Sequence, residues 1–329
     1  MKKKGEIPLL DERPLVTVVT ATYKRFDTLF DSIDSVFKQD YPNIEYVITD
    51  DGSENFPYEK IKQYIDSLDN KNVKNVMILT AEKNRGTVKN LNNAYQRSNG
   101  KYIINLSCGD VFFSEDVVSK ITKRFIEKKA NVVVTSRVLY KEKNHPIAFL
   151  PHYNERKIIT SKYKTSIDQY KGFVLGLSYD MASGSAMSYS RAIIEKYGYF
   201  DERYCLFEDG PFLEKYLYNS KLCFAYDIIS IWYEAAGVSS SGGARNPIYQ
   251  KDLDRFNQHD RKKHLDILTY SEKKKIDFCF TFLKTGRSKA KKLMALMRYF
   301  PYSLCYVHYN WSRKRNAKND LKYIETIKK

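Results

Sequence analysis

Four times between residues 15 and 106 the chain alternates a short apolar run with a segment whose apolar side chains recur at helical spacing. Residues 15–20 (LVTVVT), 44–49 (IEYVIT), 75–80 (NVMILT) and 101–106 (KYIINL) read as strands. Leu29, Phe30, Ile33, Val36 and Phe37 share one face of a first helix, which Asp27 is expected to cap and Tyr41-Pro42-Asn43 to stop. Ile61, Tyr64, Ile65 and Leu68 mark a second helix, and Val88, Leu91, Ala94 and Tyr95 a third. Strands separated by helices pair in parallel, so the expectation is an α/β fold: a mostly parallel, Rossmann-like sheet with helices on both faces. Ligands of such sheets collect beyond the carboxyl ends of the strands, which selects the loops 20–25, 50–55, 81–87 and 107–111.

The second half is less regular. A helix is expected over 114–128, starting at Ser114, and a strand over 132–135. Residues 140–180 read as an irregular, polar excursion on the acceptor side. Short helices follow at 190–197, ended by Gly198, and at 211–218, then a strand at 222–233. Residues 239–243 (SSSGG) are a flexible break, and beyond about 265 the chain is basic with a helical pattern.

Charge is concentrated in that last part. The net charge is +17, and residues 271–329 hold 16 Lys or Arg against four acids, so the remainder carries only +5. A basic end on a near-neutral body suits a polyanionic surface. Residues 273–298 mix Phe278, Phe280, Phe282, Leu283, Leu293, Met294, Leu296 and Met297 with cations. That composition fits a helix lying on an anionic membrane and equally a helical subdomain with a solvated face. Charge alone would also suit nucleic acid, but no recognised binding motif accompanies it, so no nucleic-acid partner is expected.

Cys108, Cys205, Cys223, Cys279 and Cys305 are odd in number and scattered, which points to a reducing compartment, and no zinc-ligand spacing accompanies them. The opening MKKKGEIPLL lacks an apolar core, and nowhere do 18 apolar residues run together. The expected place is cytoplasmic, peripheral on the inner face of the cell membrane.

Neither G-x-G-x-x-G after a strand nor G-x-x-x-x-G-K-[ST] occurs, which argues against a dinucleotide oxidoreductase and a P-loop NTPase. The strand ends are acidic instead. Asp51 after the second strand can accept the imide N–H of uracil, or simply close a turn. Asp110 in Leu106-Ser107-Cys108-Gly109-Asp110 can hold Mn²⁺ or Mg²⁺ together with phosphate oxygens, or cap a helix. Glu208-Asp209 can be first-turn charges on a helix dipole, or supply a general base for an acceptor hydroxyl.

Taken together, five stretches resemble the family 2 glycosyltransferases of the GT-A fold, over roughly residues 14–235. They are VTVVTATYKR (16–25), SVFKQDYPNIEYVITDDGS (35–53), NRGTVKNLNNA (84–94), LSCGDVF (106–112) and YGYFDERYCLFEDGPFLEKYL (197–217), in the family's order. The resemblance implies nucleotide contacts from Thr22, Tyr23, Arg25, Asp51 and Arg85. Asp110 matches the last Asp of the family's Asp-x-Asp-Asp motif, the metal and diphosphate ligand, and Asp209 the catalytic base of its Glu-Asp motif. Gly184 in SGSAMSYS (183–190), with Glu208, matches the part that lines donor sugar and acceptor. Ser107-Cys108-Gly109-Asp110 departs from the motif, because two of its carboxylates are missing.

The implied organisation is a catalytic domain over 1–235, with a nucleotide-binding half (1–112) and an acceptor half (113–235). A linker or active-site loop (236–265) and a basic helical tail (266–329) follow. The implied activity is inverting, metal-assisted sugar transfer from a nucleotide-diphosphate sugar, UDP-linked, to a glycan or lipid-linked acceptor in cell-surface polysaccharide synthesis. The alternative is a non-catalytic nucleotide-sugar or membrane-binding module. A nucleotidyltransferase would share the topology, but its Gly-rich, basic signature near the first strand is absent.

Overall fold

The alternating segments form one sheet around the first strand. β1 (Val16–Thr22) lies between β2 (Ile44–Asp50) and β4 (Tyr102–Asn105), with β3 (Val73–Thr80) outside β2, and all four run parallel. The computed structural model describes residues 13–69, 71–142, 145–175, 181–234, 246–283 and 288–327. Strand periodicity divides β1 between two cores. Val16 and Val18 join Ile44, Leu29, Ile33, Val36, Ile61, Ile121 and Phe125 under α1 (Leu29–Phe37), α2 (Tyr58–Asp66) and α4 (Val117–Lys128). Val19 joins Val47, Ile103, Val88, Leu91, Tyr95, Phe212 and Tyr216 under α3 (Thr87–Arg97) and α8 (Asp209–Leu217). Each fully buried aliphatic side chain of this kind contributes about 1.5–3 kcal/mol, which is why these runs are apolar on both faces.

Beyond β4 the sheet becomes mixed. β8 (Met187–Ser190) is antiparallel to β4, and β6 (Val132–Glu142) is antiparallel to β8. β9 (Cys223–Glu234) runs parallel to β6, and β5 (Val111–Phe112) closes the edge antiparallel to β9. The order is β3-β2-β1-β4-β8-β6-β9-β5. Two successive reversals restore direction, so β6 and β9 end on the same rim as β1, β2 and β4. The start of β8 lies on that rim too.

Several expectations are corrected. Residues 140–180 are not an irregular excursion: they finish β6 and continue as β7 (His145–Leu150), paired with β6, then α5 (Tyr153–Lys162) and α6 (Ser166–Leu175), while 143–144 and 176–180 lie outside the described residues. Their mixed polarity reflects one packed and one solvated side per element. Thr28, not Asp27, precedes α1, and no side chain caps it. Likewise α4 begins after Asp116 rather than at Ser114, whose hydroxyl donates to Asp116 at 2.6 Å. The short α7 (Arg191–Tyr197) does end at Gly198.

The span expected as a linker carries structure: α9 (Pro247–Gln258), N-capped by Asn246, and a turn at Asp260–Lys262. The Ser239–Gly243 break, with the rest of 235–245, lies outside the described residues, as do the first 12 residues. The basic region packs as helices α10 (Tyr270–Leu283), α11 (Lys289–Arg298) and α12 (Leu304–Ile327). α12 folds back on the domain. Buried Asp320 accepts the Phe149 and Tyr153 amides at 3.2 and 2.9 Å and pairs with His152 Nδ1 at 2.5 Å. Tyr323 stacks on Tyr153 at 3.9 Å.

Candidate active site

The rim is built from the loops that follow β1, β2, β3 and β4. Thr22 ends β1, and its hydroxyl donates to the Arg25 carbonyl at 3.1 Å, which closes the turn. The Cys108 thiol donates to the same carbonyl at 3.0 Å, and the Cys108 amide to Ala21 at 3.2 Å, so the loops after β1 and β4 are tied together. Burial pushes the Cys108 thiol above its usual pKa, so it is a packing group rather than a nucleophile. Tyr23 stands 40 % exposed at the lip, with the Lys24 ammonium 5.3 Å from its ring, and Arg25 is half-buried beside it.

Asp51 does more locally than its expected contact with a base. One carboxylate oxygen accepts the Arg85 amide at 2.9 Å and the other the Gly86 amide at 2.8 Å. The carboxylate therefore organises the turn after β3, and burial raises its pKa. Any ring N–H meeting Asp51 shares oxygens already bonded to this turn. Gly86 has φ +91°, and a Cβ there would run into the sulfur of Cys205 and stand 2.6 Å from its carbonyl oxygen. Arg85, with its amide held, exposes its side chain to the rim.

Asp110 is buried at the end of the β4 loop. Ser32 on α1 fixes this loop twice, accepting the Gly109 amide at 3.1 Å and donating to the Asp110 carbonyl at 2.8 Å. Tyr140, at the end of β6, donates to the Gly109 carbonyl at 2.8 Å. Among the described residues no cluster of three or more His, Cys, Asp or Glu side chains could hold a metal ion alone. A cation here would need the donor's diphosphate oxygens as well as Asp110, which is the sparse protein ligation usual for Mg²⁺ and Mn²⁺.

Glu208 and Asp209 open α8. Asp209 is held by two amides: Gly184 donates to Oδ2 at 2.9 Å and Gly210 to Oδ1 at 2.8 Å. Gly184 begins the turn Gly184–Ala186 that leads into β8, beside the carboxyl end of β4. Asp209 thus reaches the rim that carries Asp110. Glu208 is half-buried, with its carboxyl against the turn before β8: an ideal Cβ on Gly184 would lie 2.6 Å from Oε1. Desolvation, then the neighbouring Asp209 charge, pushes the Glu208 carboxyl well above its ordinary pKa.

Sequence reasoning missed the groups that brace this pair. Asp252 on α9 accepts the amides of Cys205 and Leu206 at 2.8 and 2.7 Å. Asp260 bonds Tyr204 and pairs with Lys263 at 2.5 Å, holding the same loop at the residue just before Cys205. Arg137 on β6, buried, donates to Ser185 Oγ at 2.9 Å. No motif marks these residues. Their only signal was two acids in a segment read as a linker.

A cavity of about 450 Å³ opens beside the Asp110 loop, between α1 and β5, lined by Asp31, Asp34, Glu115, Lys38, Tyr140 and Trp232 among others. Three carboxylates against one ammonium make it a poor seat for a diphosphate, which favours the rim near Thr22, Asp51 and Asp110.

Comparison with known proteins bears on the fold and the family. The chain is 26 % identical over 155 residues to TuaG of Bacillus subtilis, named as a candidate teichuronic acid biosynthesis glycosyltransferase, covering 47 % of this chain and 59 % of that protein. It is 28 % identical over 108 residues to WfgD of Escherichia coli, named a UDP-Glc:α-D-GlcNAc-diphosphoundecaprenol β-1,3-glucosyltransferase, covering 33 % and 40 %. The chain therefore spans well under two thirds of either relative. The fold matches residues 1–349 of S. aureus TarS in complex with UDP-GlcNAc, with TM-score 0.54 and 16 % identity over 90 % of this chain and 92 % of that one. It also matches mannosyltransferase PcManGT from Pyrobaculum calidifontis in complex with GDP-Man and Mn²⁺, with TM-score 0.52 and 14 % identity over 93 % and 86 %. These likenesses carry the fold, which is GT-A. Residues 17–198, more than half of the chain, match the family described as Glycosyl transferase family 2, and the chain belongs to it.

Proposed function

We propose that the chain is an inverting glycosyltransferase that moves a sugar from a UDP-linked donor to a hydroxyl of a glycan or lipid-linked acceptor in cell-surface polysaccharide synthesis. The observation that carries this reading is Asp209, a carboxylate at the start of α8 aimed by the Gly184 and Gly210 amides. Such a group can take a proton from an acceptor hydroxyl as that oxygen attacks the anomeric carbon from the side opposite the diphosphate. One displacement with one base inverts configuration, through an oxocarbenium-like transition state. Two amide donors restrict the carboxylate's rotation, so little ordering remains for the reaction step.

The other parts have matching tasks. Glu208, whose pKa is raised by desolvation and by the Asp209 charge, can donate a hydrogen bond to a sugar oxygen in its protonated form. Thr22, Tyr23, Arg25, Asp51 and Arg85 border the nucleotide, and Gly184, which lacks the Cβ that would meet the Glu208 carboxyl, lines the donor sugar and acceptor with Glu208. Asp110 would hold Mn²⁺ or Mg²⁺ with the diphosphate. That ion supplies Lewis-acid neutralisation of the leaving group. UDP-sugars named for WfgD and TarS support the donor, and the diphosphoundecaprenol of WfgD supports a lipid-linked acceptor. A lipid-linked acceptor would put the enzyme peripherally on the cytoplasmic face of the membrane; no helix among the described residues is long and apolar enough to cross one.

The test is transfer from a panel of nucleotide sugars, with and without Mn²⁺. Asp209→Asn should lower transfer about 10²–10⁴-fold, the usual contribution of a general base, while UDP binding is retained. Normal transfer by this variant would overturn the base assignment. A wild type that binds UDP-sugars but turns over none would favour the non-catalytic reading.

A further inference from the structure

Of the apolar residues that the sequence singles out over 273–298, Leu293, Met294 and Met297 of α11 are exposed, while the aromatics of α10 turn inward. Phe278 on α10 is fully buried, and Phe280 and Phe282 are half-buried. α11 then packs on α10 through buried Ala295 and half-buried Leu296 and Tyr299, whose hydroxyl lies 3.0 Å from that of Thr281. This seating turns the opposite face of α11 outward. Leu293, Met294 and Met297 are 58 %, 65 % and 63 % exposed, and Phe300, Leu304 and Val307 at the next corner are 67 %, 51 % and 53 % exposed. Leu293 and Met297 are one turn apart on α11, Leu304 and Val307 one turn apart at the start of α12, and Phe300 lies in the turn between the two helices. Ser303 locks that corner by donating to the Leu296 carbonyl at 2.7 Å. A helix of a soluble domain normally turns one apolar stripe inward; α11 carries a second one to solvent.

We propose that this α11–α12 corner docks on an anionic lipid bilayer, a reading that rests on the lipid-linked acceptor suggested above. The charge around the stripe identifies the partner. No Asp or Glu lies between Asp277 and Asp320, while that stretch carries ten Lys or Arg. Lys289, Lys291 and Arg298 are exposed on α11 itself, beside the apolar stripe. Soluble surfaces intersperse both signs, whereas bulky exposed apolar side chains beside Lys289, Lys291 and Arg298 suit acyl chains below and phosphates around them. A second copy of this chain fits poorly, because a two-fold contact would bring the same cations together. The packed core of α10 and the Asp320 clamp of α12 present the stripe on a rigid support, so binding requires no new fold.

The experiment uses the full chain without nucleotide or acceptor. Sedimentation is measured with vesicles of phosphatidylcholine alone and with about 30 % phosphatidylglycerol, at about 0.1 M salt. Binding should be at least about tenfold tighter to the anionic vesicles, and Lys289→Ser/Lys291→Ser should weaken it about fivefold per cation. Leu293→Ser/Met297→Ser/Phe300→Ser should weaken it about tenfold or more, because each lost apolar side chain removes a contact with the acyl layer. Hydrolysis of a soluble UDP-sugar by the triple variant should stay within about twofold of wild type, since these positions lie outside the proposed catalytic machinery. The proposal is overturned if wild type ignores anionic vesicles, if the triple variant sediments like wild type, or if light scattering shows a wild-type dimer that the triple variant dissolves. A chain inactive on every donor but bound to vesicles would sink the enzymatic reading and leave this one standing.

Discussion

Replacing Gly184 by alanine places a methyl group where the Glu208 carboxylate already lies. The new Cβ would stand 2.6 Å from Oε1, well inside the 3.4–4 Å of ordinary contact, and 3.7 Å from the Asp209 Cβ. Backbone strain plays no part, because Gly184 is not among the positive-φ glycines. Relief therefore requires Glu208 to swing away or the 184–186 turn to retreat. A retreat breaks the 2.9 Å bond from the Gly184 amide to Asp209. Losing a hydrogen bond to a charged acceptor costs about 1.5–3 kcal/mol, and overpacking a tight site about 1–3 kcal/mol. A displacement of the base by about 1 Å lowers turnover by about 10²-fold. Steady-state sugar transfer and thermal unfolding, measured side by side, check both effects. Glu208→Ala, alone and in the Gly184→Ala background, isolates the cause. If the clash is with Glu208, the double variant should be more stable than the sum of the two single changes predicts. Unchanged turnover in Gly184→Ala, or strict additivity in the cycle, would refute the reasoning.

Two further outcomes follow from the same loops. Glu208 has a folded-state pKa raised to about 8 against 4.5 in the unfolded chain, so its contribution to stability is full below about 4.5 and is lost as pH rises through 8. Glu208→Gln should remove that decline, which unfolding at pH 5 and pH 8.5 would reveal; equal pH dependence in both proteins would show that the carboxyl is not held neutral. Asp252→Ala strips the acceptor from the Cys205 and Leu206 amides and should cost about 2–4 kcal/mol while raising the donor KM, with Asp252→Asn recovering most of both. A KM unaffected by Asp252→Ala would mean that this brace does not reach the site.

What was legible in the sequence was whatever depended on local period and strand burial. The runs at 15–20 and 44–49 became β1 and β2 because a strand covered on both faces carries apolar side chains on both, with buried exceptions such as Thr17, which donates to Glu45 at 2.6 Å. The carboxylates at strand ends were legible because a parallel sheet places those ends together. The excursion at 140–180 was misread because α5 and α6 carry weak apolar periodicity, with charged residues between their few buried positions. The aromatics of α10 were misassigned for a related reason: period shows which residues share a face, not whether a neighbour covers it. Asp51 was legible as a site acid, but not as the group that holds the Arg85 and Gly86 amides, because that contact joins residues 34 and 35 positions apart.

The order of strands and helices through β4, the strand-end acids and the bias of cations toward the last 60 or so residues were all present in the linear chain, since each follows from near-neighbour spacing or composition. Only folding decided the rest. The reversal at β8 brings the Gly184 turn to the rim, the amides of Gly184 and Gly210 aim Asp209, Asp252 and Asp260 brace the loop before it, and α10 turns one face of α11 outward. These are contacts between residues far apart in sequence. Their energy comes from mutual desolvation and hydrogen bonding across packed elements, which no local pattern encodes.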